Sequence, residues 1–381
     1  MSKIVVSGYY GSRNAGDEAM LAAMIEVLSE LDPKLHITVI SADPEDTERR
    51  HGVKAIPWLG FGAIWSAIRE ADLVISGGGS LLQNVTSGRS LYYYLSVIFL
   101  ARLLRKPVML YAQGIGPVCG RFPRWLMTTV SQKVSQITVR DYGSLKELES
   151  LAVTRPPVEV TADPVLAIHP VDHGLGRAIL TKHKAAGAKP VVGISVREWC
   201  GWQSYKKVIA AATVQIMREF DARVVFLPMQ YPEDVKTAQT IAAMAGEPVI
   251  ILEEEYTTSE LLSIVGNLDL LISIRLHGLI FAGVMGVPMV GISYDPKIDR
   301  FLDSVGDRPV ADLQTVTVEN LMAGVRAKWA RRKIHPQENE ARLAELRRLA
   351  SRNAELALEM IEKVSNLSMD KIQEIGRMHS L

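Results

Sequence analysis

The sequence has few cysteines and no excess of charge of either sign. Its only cysteines are Cys119 and Cys200, which show neither metal-type spacing nor a disulfide framework. This excludes a disulfide-stapled fold and a cysteine-ligated zinc site, and it fits a reducing compartment. The 43 basic residues nearly balance the 42 acidic ones. No overall field therefore attracts nucleic acid, and any anion site must be local.

Long apolar runs are also absent. The longest, around Leu91–Leu104 and Gly278–Ser293, are too short to span a bilayer or are broken by Arg102, glycines and Pro288. The chain runs from Lys3 directly into Ile-Val-Val-Ser-Gly, which is not the pattern of a signal peptide. We therefore predict no transmembrane helix and a cytoplasmic protein.

Apolar runs of strand length alternate with helical patterns through most of the chain, which is typical of parallel α/β sheets. With 381 residues, two domains are expected rather than one. We place them at 1–170 and 171–335, followed by a helical segment at 336–381. The predicted strands are Lys3–Ser7, His36–Ser41, Leu73–Ser76, Val108–Ala112, Ile137–Val139, Val158–Thr161, Pro190–Val196, Arg223–Leu227, Val249–Leu252, Asp269–Ile274 and Val287–Ser293.

Two further segments are interpreted from composition and periodicity. Asp43–Gly52 is polar throughout and is predicted to be a loop, whereas Gln337–Val364 is predicted to be a long amphipathic helix that packs back on the body. The whole pattern predicts two doubly wound, Rossmann-like domains whose carboxyl-end loops face each other across a cleft. This is the layout of a GT-B-type enzyme, here with C-terminal helices.

The most informative stretch is residues 269–297. It reads as strand, tight turn, buried helix and strand, the crossover unit of a parallel sheet. Arg275 and His277 fall at the end of the first strand, and Lys297 follows the second. Ligands of open parallel sheets sit beyond such ends, so two cations and an imidazole predict a small, strongly anionic ligand. Arg-x-His could instead cap a sheet edge, but its apolar flanks favour a binding role.

Glycine-rich loops follow several strands of the first half. Gly8–Glu18 leads into a helix, and its spacing is not that of a dinucleotide fingerprint. Asp17 and Glu18 could bind hydroxyl groups or simply complement the helix dipole. The triplet Gly77-Gly78-Gly79 and the run Gln113–Pro117 also follow strands. Sharp turns would explain each loop alone, whereas several together favour a binding crevice.

Two arginines occupy strand ends comparable to that of Arg275. Arg140 follows the strand Ile137–Val139, and Arg197 follows Pro190–Val196. The neighbouring Asp141 is expected to cap the next helix, and a simple surface pair between Arg140 and Asp141 is the alternative. Near the end of the chain, residues 326–333 form a basic cluster around Trp329. It is interpreted as a solvated charge run, or alternatively as a contact with anionic lipid.

Five of these motifs together resemble the polysaccharide pyruvyl transferase family, and most of all its bacterial CsaB-type members. The resemblance covers about residues 4–300, and Arg-Leu-His-Gly-Leu is its most specific part. The motifs are Asn14–Glu18, Gly77–Gly79, Gln113–Pro117, Val139–Asp141 and Ser273–Gly278.

The resemblance implies a GT-B-like fold and a defined reaction. The donor would be phosphoenolpyruvate, and the acceptor an N-acetylmannosamine residue of a lipid-linked saccharide. The product would be a 4,6-linked pyruvate ketal, with phosphate released, in the synthesis of a secondary cell-wall polymer that anchors an S-layer. A lipid-linked acceptor would place the protein at the inner face of the cell membrane, where 326–333 could make a peripheral contact.

The resemblance also suggests residue roles. His277 would be the general acid, assisted by Arg275 and Lys297. The predicted donor-binding residues are Arg140, Arg197, Arg275, Leu276 and Lys297. The predicted acceptor-binding residues are Asn14, Gly16, Asp17, Gly78 and Gly79. No cofactor or metal is expected, because phosphoenolpyruvate is a substrate and arginines can neutralise its charge.

Two other functional classes remain open from the residues alone. A GT-B glycosyltransferase would share the fold, bind a uridine nucleotide and ignore phosphoenolpyruvate. A non-catalytic saccharide-binding protein would bind acceptor without needing His277, but neutral sugars do not require clustered cations.

Overall fold

Two parallel β-sheets, each with helices between consecutive strands, form the body of the protein. The computed structural model describes residues 1–85, 88–332 and 335–378, the side chains of 335–339 and 364–378 excepted. The alternation of strand and helix in two separate sheets confirms the predicted fold class of two Rossmann-like halves.

The first sheet has seven strands in the order β3-β2-β1-β4-β5-β6-β7. The chain starts in the middle, moves outward to β3 and returns to β4, so the winding reverses between β1 and β4. The strands are β1 (Lys3–Ser7), β2 (His36–Ser41), β3 (Lys54–Pro57), β4 (Leu73–Ser76), β5 (Val108–Gln113), β6 (Gln136–Val139) and β7 (Val158–Val160). The helices are α1 (Ala15–Leu31), α2 (Pro44–His51), α3 (Phe61–Glu70), α4 (Gly88–Leu103), α5 (Arg121–Ser131) and α6 (Tyr142–Ser150).

The second sheet has six strands in the order β10-β9-β8-β11-β12-β13, and its winding reverses between β8 and β11. Central strands such as β8 and β11 are apolar and buried along their length, as expected when helices cover both faces of a parallel sheet. The strands are β8 (Val191–Ser195), β9 (Arg223–Phe226), β10 (Ile250–Ile251), β11 (Leu270–Ser273), β12 (Met289–Ser293) and β13 (Ala311–Asp312). The helices are α7 (Gly174–Lys182), α8 (Ser204–Phe220), α9 (Glu233–Ala245), α10 (Thr258–Gly266), α11 (Leu276–Met285), α12 (Pro296–Ser304), α13 (Val318–Arg331) and α14 (His335–Met378).

The chain divides into two compact units whose composition differs from the predicted domains. The first contains Met1–Ser12, Met20–Ala167 and the segment from Arg348 onward, and the second contains Arg13–Ala19 and Ile168–Arg347. The boundary near residue 170 lies close to the predicted one. The differences are that Arg13–Ala19 belongs with the second sheet, and that α14 is shared between the units rather than forming a third segment.

Asp43–Gly52 was predicted to be a loop, and this is wrong: Pro44–His51 forms helix α2. Asp43 caps it by accepting a hydrogen bond from the Asp46 backbone N–H, and Gly52 ends it in the left-handed conformation. Burial alone would raise the pKa of Asp46, but hydrogen bonds from Arg49 and Arg50 lower it. Capping and local ion pairs therefore define a helix that buries only Thr47, so apolar periodicity could not reveal it.

The second part of α14 packs against the first unit. Its buried face includes Ala350, Ala357 and Ile361, as the amphipathic pattern predicted. Asn353 is fully buried, where its Oδ1 accepts a hydrogen bond from Thr161 at 2.9 Å. Burying an amide needs such a partner, and this pair fixes the position of the helix along the unit.

Candidate functional site

The second sheet gathers four of the five predicted donor-binding residues around its topological switch point, and only Arg140 lies elsewhere. Ser195 of β8 pairs in register with Ser273 of β11. Arg197 and Arg275 each lie two residues beyond this pair, at the carboxyl ends of the two strands between which the winding reverses. This is where open α/β sheets bind ligands. Lys297 follows β12, which is the next strand along.

Arg275 is held in a fork-to-fork ion pair with Asp234. Its Nε donates to Oδ2 of Asp234 at 3.0 Å, and its Nη2 donates to Oδ1. The Asp234 side chain is 1% exposed and also accepts hydrogen bonds from the backbone N–H groups of Met229 and Gln230. One carboxylate therefore fixes both the loop after β9 and the plane of the guanidinium.

Local contacts explain the rest of the Ser-Ile-Arg-Leu-His-Gly motif. The Ser273 hydroxyl accepts a hydrogen bond from the Arg275 N–H and donates one to the Arg275 carbonyl, at 3.0 and 2.7 Å. A Cβ on Gly278 would lie 2.6 Å from this hydroxyl, which explains the glycine. Leu276 is buried at the start of α11. Serine, leucine and glycine thus build the turn that presents Arg275 and His277.

His277 lies in the first turn of α11, directly against Gly16. A Cβ built on Gly16 would fall 2.0 Å from the Nδ1 atom of His277. The backbone of α1 therefore passes at contact distance from the imidazole, and residue 16 has no room for a side chain. Asp17, the next residue, is partly buried in the same helical turn.

Residues 13–15 reach this position by pairing with the loop after β9. The Ala15 N–H donates to the Met229 carbonyl at 2.8 Å, and the Asn14 Nδ2 donates to the Gln230 Oε1 at 2.9 Å. The Asn14 Oδ1 accepts from the backbone N–H groups of Gly16 and Asp17 and so caps α1. The three residues predicted for the acceptor side of the N-terminal domain, Asn14, Gly16 and Asp17, thus lie in the unit that carries His277.

Aromatic rings hold the other two cations of this unit. The Arg197 guanidinium lies 5.0 Å from the ring of Trp199 and 4.6 Å from that of Tyr294, and it donates a hydrogen bond to the Tyr294 hydroxyl. The Lys297 ammonium lies 5.4 Å from the Tyr294 ring and 3.5 Å from the Asp295 carboxylate. Tyr294 therefore links two predicted donor-binding residues through one ring.

Tyr205 and Lys206 support the loop that carries Arg197. The Tyr205 hydroxyl donates to the Arg197 carbonyl at 2.7 Å, and burial raises the pKa of Tyr205, so the phenol remains a donor. Lys206, whose side chain is 4% exposed, pairs with Glu198. Sequence reasoning missed Asp234, Tyr205 and Tyr294. The one available signal was polar or aromatic residues just after predicted strands, and it is too common to single them out.

The glycine triplet after β4 packs against other residues of the first unit. A Cβ on Gly77 would lie 2.0 Å from the hydroxyl of Tyr10, which is 1% exposed and fills the space beside the switch point of the first sheet. Gly78 packs on Met20, and Gly79 has a positive φ of 102°. These contacts account for all three glycines, and the predicted acceptor role of Gly78 and Gly79 stays a prediction.

Arg140 belongs to the first unit and makes an internal ion pair. Its side chain is 6% exposed and donates to Asp163, 5% exposed, at 3.0 Å and to Ser80 at 3.1 Å. The Gly114 backbone lies close to the guanidinium, since a Cβ on Gly114 would be 2.7 Å from the Arg140 Nη2. Asp141 caps α6, as expected, at 2.7 Å from the Ser144 N–H. Arg140 also lies 3.9 Å from Asp141, so the alternative pair with Asp141 is present, but it is largely buried and Asp163 is the closer partner.

Replacing Asp163 with asparagine should destabilise the protein. The substitution keeps the side-chain shape but removes the closer of the two carboxylates beside the buried Arg140 charge, since Asp141 lies 3.9 Å away. Breaking a buried pair in this way costs up to about 3–5 kcal/mol. A lower midpoint of urea-induced unfolding would show it. Asp221→Asn is the matched control, because Asp221 pairs with Lys189 at the surface and its left-handed backbone suits asparagine. Equal midpoints for the two variants would contradict a structural role for the Arg140 pair.

The basic segment near the end of the second unit is largely neutralised. Arg326 forms two hydrogen bonds to Glu219 at 2.7 Å, and Lys328 pairs with Asp307. Trp329 stacks on Phe220 and carries the Arg332 guanidinium on its ring. Lys333 lies outside the described residues. These contacts favour a solvated, internally paired surface over a lipid-binding patch.

Comparisons with known proteins bear on the family and the fold of this chain. The sequence profile of the polysaccharide pyruvyl transferase family matches residues 14–296, from the cap of α1 to the start of α12. The amylovoran biosynthesis protein AmsJ of Erwinia amylovora is 22% identical over 275 residues. That match covers 68% of this chain and 65% of AmsJ, so less than two thirds of the relative is spanned.

Solved structures resemble the whole fold at low identity. MnaA of S. aureus, solved with UDP, is 13% identical with a TM-score of 0.66, covering 92% of this chain and 94% of that one. The UDP-GlcNAc 2-epimerase of Methanocaldococcus jannaschii is 13% identical with a TM-score of 0.65, covering 94% of this chain and 100% of that one. A glycosyltransferase of Rickettsia africae is 11% identical with a TM-score of 0.64, covering 95% of this chain and 98% of that one. These likenesses show the fold, which is that of GT-B-type sugar-nucleotide enzymes.

Within the described residues, no helix combines the length and the apolar character needed to cross a bilayer. The family profile covers well over half of the chain and includes every residue placed at the second switch point except Lys297, one residue beyond its end. The chain therefore belongs to the polysaccharide pyruvyl transferase family.

Proposed function

We propose that the protein transfers the enolpyruvyl group of phosphoenolpyruvate to an N-acetylmannosamine residue of a lipid-linked saccharide as a 4,6-pyruvate ketal. The setting would be secondary cell-wall polymer synthesis, as in the CsaB-type enzymes that the sequence resembles. Family membership supports pyruvylation of a polysaccharide in general, and the donor, sugar, lipid carrier and cellular role are the finer parts of the proposal.

One observation carries the proposal. Two arginines, one lysine and one histidine follow three adjacent strand ends at the switch point of the second sheet. Phosphoenolpyruvate bears a phosphate and a carboxylate, and guanidinium groups bind both through paired hydrogen bonds. The N-terminus of α11, which starts beside Arg275, adds the positive end of a helix dipole. A neutral ligand would not need this concentration of positive charge.

The reaction balances without an oxidant, reductant or metal. A proton adds to the methylene carbon of the donor, and one acceptor hydroxyl bonds to the adjacent carbon. The second hydroxyl bonds to the same carbon as the C–O bond to phosphate breaks. The two hydroxyl protons replace the one used on carbon and accompany the released phosphate. The chemistry therefore needs a positioned acid and fixed positive charge near the leaving group.

The residues of the second unit fit these needs. His277 supplies the proton, because imidazole exchanges protons most readily near neutral pH among the side chains. Arg197 and Arg275 bind the anionic groups, and Lys297 stabilises charge on the departing phosphate. Arg140, already bonded to Asp163 and Ser80, has a donor role only as a prediction. Asn14 and Asp17 are proposed to face the acceptor from the first turn of α1.

Phosphate release from phosphoenolpyruvate tests the proposal directly. It should depend on a lipid-linked acceptor containing N-acetylmannosamine, and the acceptor should gain the mass of pyruvic acid minus water. A water-soluble acceptor with the same terminal sugar separates sugar recognition from lipid recognition. Turnover of a sugar nucleotide with no phosphate release would instead support the glycosyltransferase alternative and remove the proposed role of His277.

A further inference from the structure

All phenylalanines and tryptophans of the first unit lie at its surface. There are six of them, and their exposed fractions range from 42% to 76%. The aromatic face, as we call this set, consists of Trp58, Phe61, Trp65, Phe99, Phe122 and Trp125. Large aromatic side chains normally dominate a core, whereas the core of this unit is built mainly from aliphatic residues. Exposed apolar surface on this scale marks an interaction site.

The aromatic face is continuous over three neighbouring helices. Helix α4 packs beside both α3 and α5. Trp58, before α3, meets Tyr93 of α4 edge to face at 5.4 Å, and the Tyr93 hydroxyl donates to the Trp58 carbonyl at 3.0 Å. Burial raises the pKa of Tyr93 to about 12, which keeps it a donor. On the other side of α4, Tyr92 lies 6.2 Å from Phe122, which stacks on Trp125.

Most of the exposed stripe of α4 is apolar. After Arg89, its exposed positions Tyr92, Ser96, Phe99 and Leu103 recur at helical spacing and carry no charge, where a solvated helix would carry several. Beyond Arg89, helix α4 is therefore largely apolar on its outer face as well as on the face that packs on the sheet.

On α4 and α5 the charge around the aromatic face has one sign, whereas α3 also carries the exposed Glu70, which pairs with Lys3. No aspartate or glutamate occurs between Asp72 and Asp141, a stretch that includes α4 and α5. The cations there that are exposed are Arg89, Arg105, Arg121 and Lys133. Arg89 precedes Tyr92 by three residues on α4, and Arg121 precedes Trp125 by four on α5, so each shares a helix face with an aromatic ring. The surface therefore alternates aromatic rings with positive charge.

We propose that the aromatic face docks on a lipid bilayer with anionic headgroups. Tryptophan and other amphipathic rings concentrate at the level of the headgroups, and nearby arginines bind anionic lipids. A second copy of the chain is a poorer occupant, because a two-fold interface would bring together two patches of the same positive charge. The basic segment 326–332 is also poorer, since two of its four cations, Arg326 and Lys328, are paired with Glu219 and Asp307.

The inference goes beyond the proposed function and does not require it. The helices that carry the aromatic face, α3, α4 and α5, are the ones that follow β3, β4 and β5 along the chain. Docking through these helices would keep the first unit close to the bilayer surface. A saccharide attached to a membrane lipid would then be presented to the protein at high local concentration.

Flotation of the full-length protein with vesicles tests the proposal. Vesicles of phosphatidylcholine mixed with phosphatidylglycerol should bind it, pure phosphatidylcholine should bind it weakly, and added salt should release it. The variant Phe122→Ser/Trp125→Ser should lose binding by at least about tenfold, and Arg89→Glu/Arg121→Glu by a similar factor. All four positions are exposed, so the variants should fold, which unchanged circular dichroism would verify.

Matched controls identify the surface. Met244→Ser removes an exposed apolar side chain from the second unit, and Arg331→Glu reverses a charge in the basic segment. Both should bind vesicles as the wild type does. Unchanged binding of Phe122→Ser/Trp125→Ser, or lost binding of Arg331→Glu, would overturn the proposal. The proposal would also be overturned if the wild type were a dimer in solution and Phe122→Ser/Trp125→Ser a monomer, because the aromatic face would then be a dimer interface. Turnover of a water-soluble acceptor does not depend on docking, so it tests the proposed function separately. Absence of this turnover in the wild type would count against the proposed function and not against docking.

Discussion

Replacing His277 with alanine should lower kcat for phosphate release by about 10²–10⁴-fold while phosphoenolpyruvate still binds. A positioned general acid contributes on this scale, because it delivers its proton as the new bond forms. The cations proposed to bind the donor have supports of their own, since Arg275 is held by Asp234 and Arg197 by Tyr294. The loss should therefore appear in kcat, with little change in the donor dissociation constant.

Two further measurements separate an acid from a structural histidine. Added imidazole should restore part of the turnover of His277→Ala, because free imidazole can occupy the space beside Gly16 that the missing ring leaves. The pH profile of the variant should lose the ionisation assigned to the acid. His36→Ala is the control, since His36 is exposed on β2 of the first unit. Unchanged kcat in His277→Ala would sink the assignment.

Most strands were predictable because they are short apolar runs that end in a polar or glycine-rich turn. The edge strands β3 and β13 are short and were not predicted. Lys3–Ser7, His36–Ser41 and Leu73–Ser76 form strands with the predicted limits. Parallel strands covered on both faces must be apolar along their whole length, which makes them visible in a single sequence. The order of the strands in the sheet is harder to predict from the sequence. In any all-parallel sheet, however, the carboxyl ends of the strands lie at the same edge. Arg275, His277 and Arg197 could therefore be predicted to lie together.

Partners distant in sequence could not be predicted. Asp234 comes forty-one residues before Arg275, and nothing in its neighbourhood marks it as the partner of that arginine. The pairing of Asn14 with Gln230 spans still more of the chain. Both depend on how loops after separate strands fold over the sheet edge, which local propensity does not encode. The sequence therefore indicated which cations form the site, but not what orients them.

The placement of Arg13–Ala19 has the largest consequence for mechanism. From chain order, Asn14, Gly16 and Asp17 belong to the first domain, and an acceptor role follows naturally. In the structure, Asn14 caps α1, and the start of this helix is hydrogen-bonded to the loop after β9. Gly16 lies in contact with His277. The first turn of α1 therefore shapes the surroundings of the proposed acid. A change at residue 16 should act through the histidine rather than through sugar binding alone.

Gly16→Ala should lower kcat by about 10²-fold, close to the effect of removing the imidazole itself. The new Cβ would lie 2.0 Å from the His277 Nδ1 and must push the ring away, and displacement of a catalytic group by about 1 Å can cost that much. Alanine is otherwise a better helix former than glycine, so the contact with His277 is the reason for the loss. Gly62→Ala is the matched control: it too is the second residue of its helix, but a Cβ there meets nothing within 4 Å.

The double variant Gly16→Ala/His277→Ala distinguishes displacement of the ring from damage to the helix. If the Cβ acts only by moving the imidazole, it fits into the space that the missing ring leaves, and the double variant should match His277→Ala in both kcat and unfolding midpoint. If Gly16 is needed for another reason, such as the approach of an acceptor to α1, the two losses should multiply. Gly62→Ala should keep full turnover and gain roughly 0.4–1 kcal/mol of stability, because alanine restricts the unfolded chain. Multiplying losses would reject the contact between Gly16 and His277 as the link between the first turn of α1 and catalysis, and matching values would establish it.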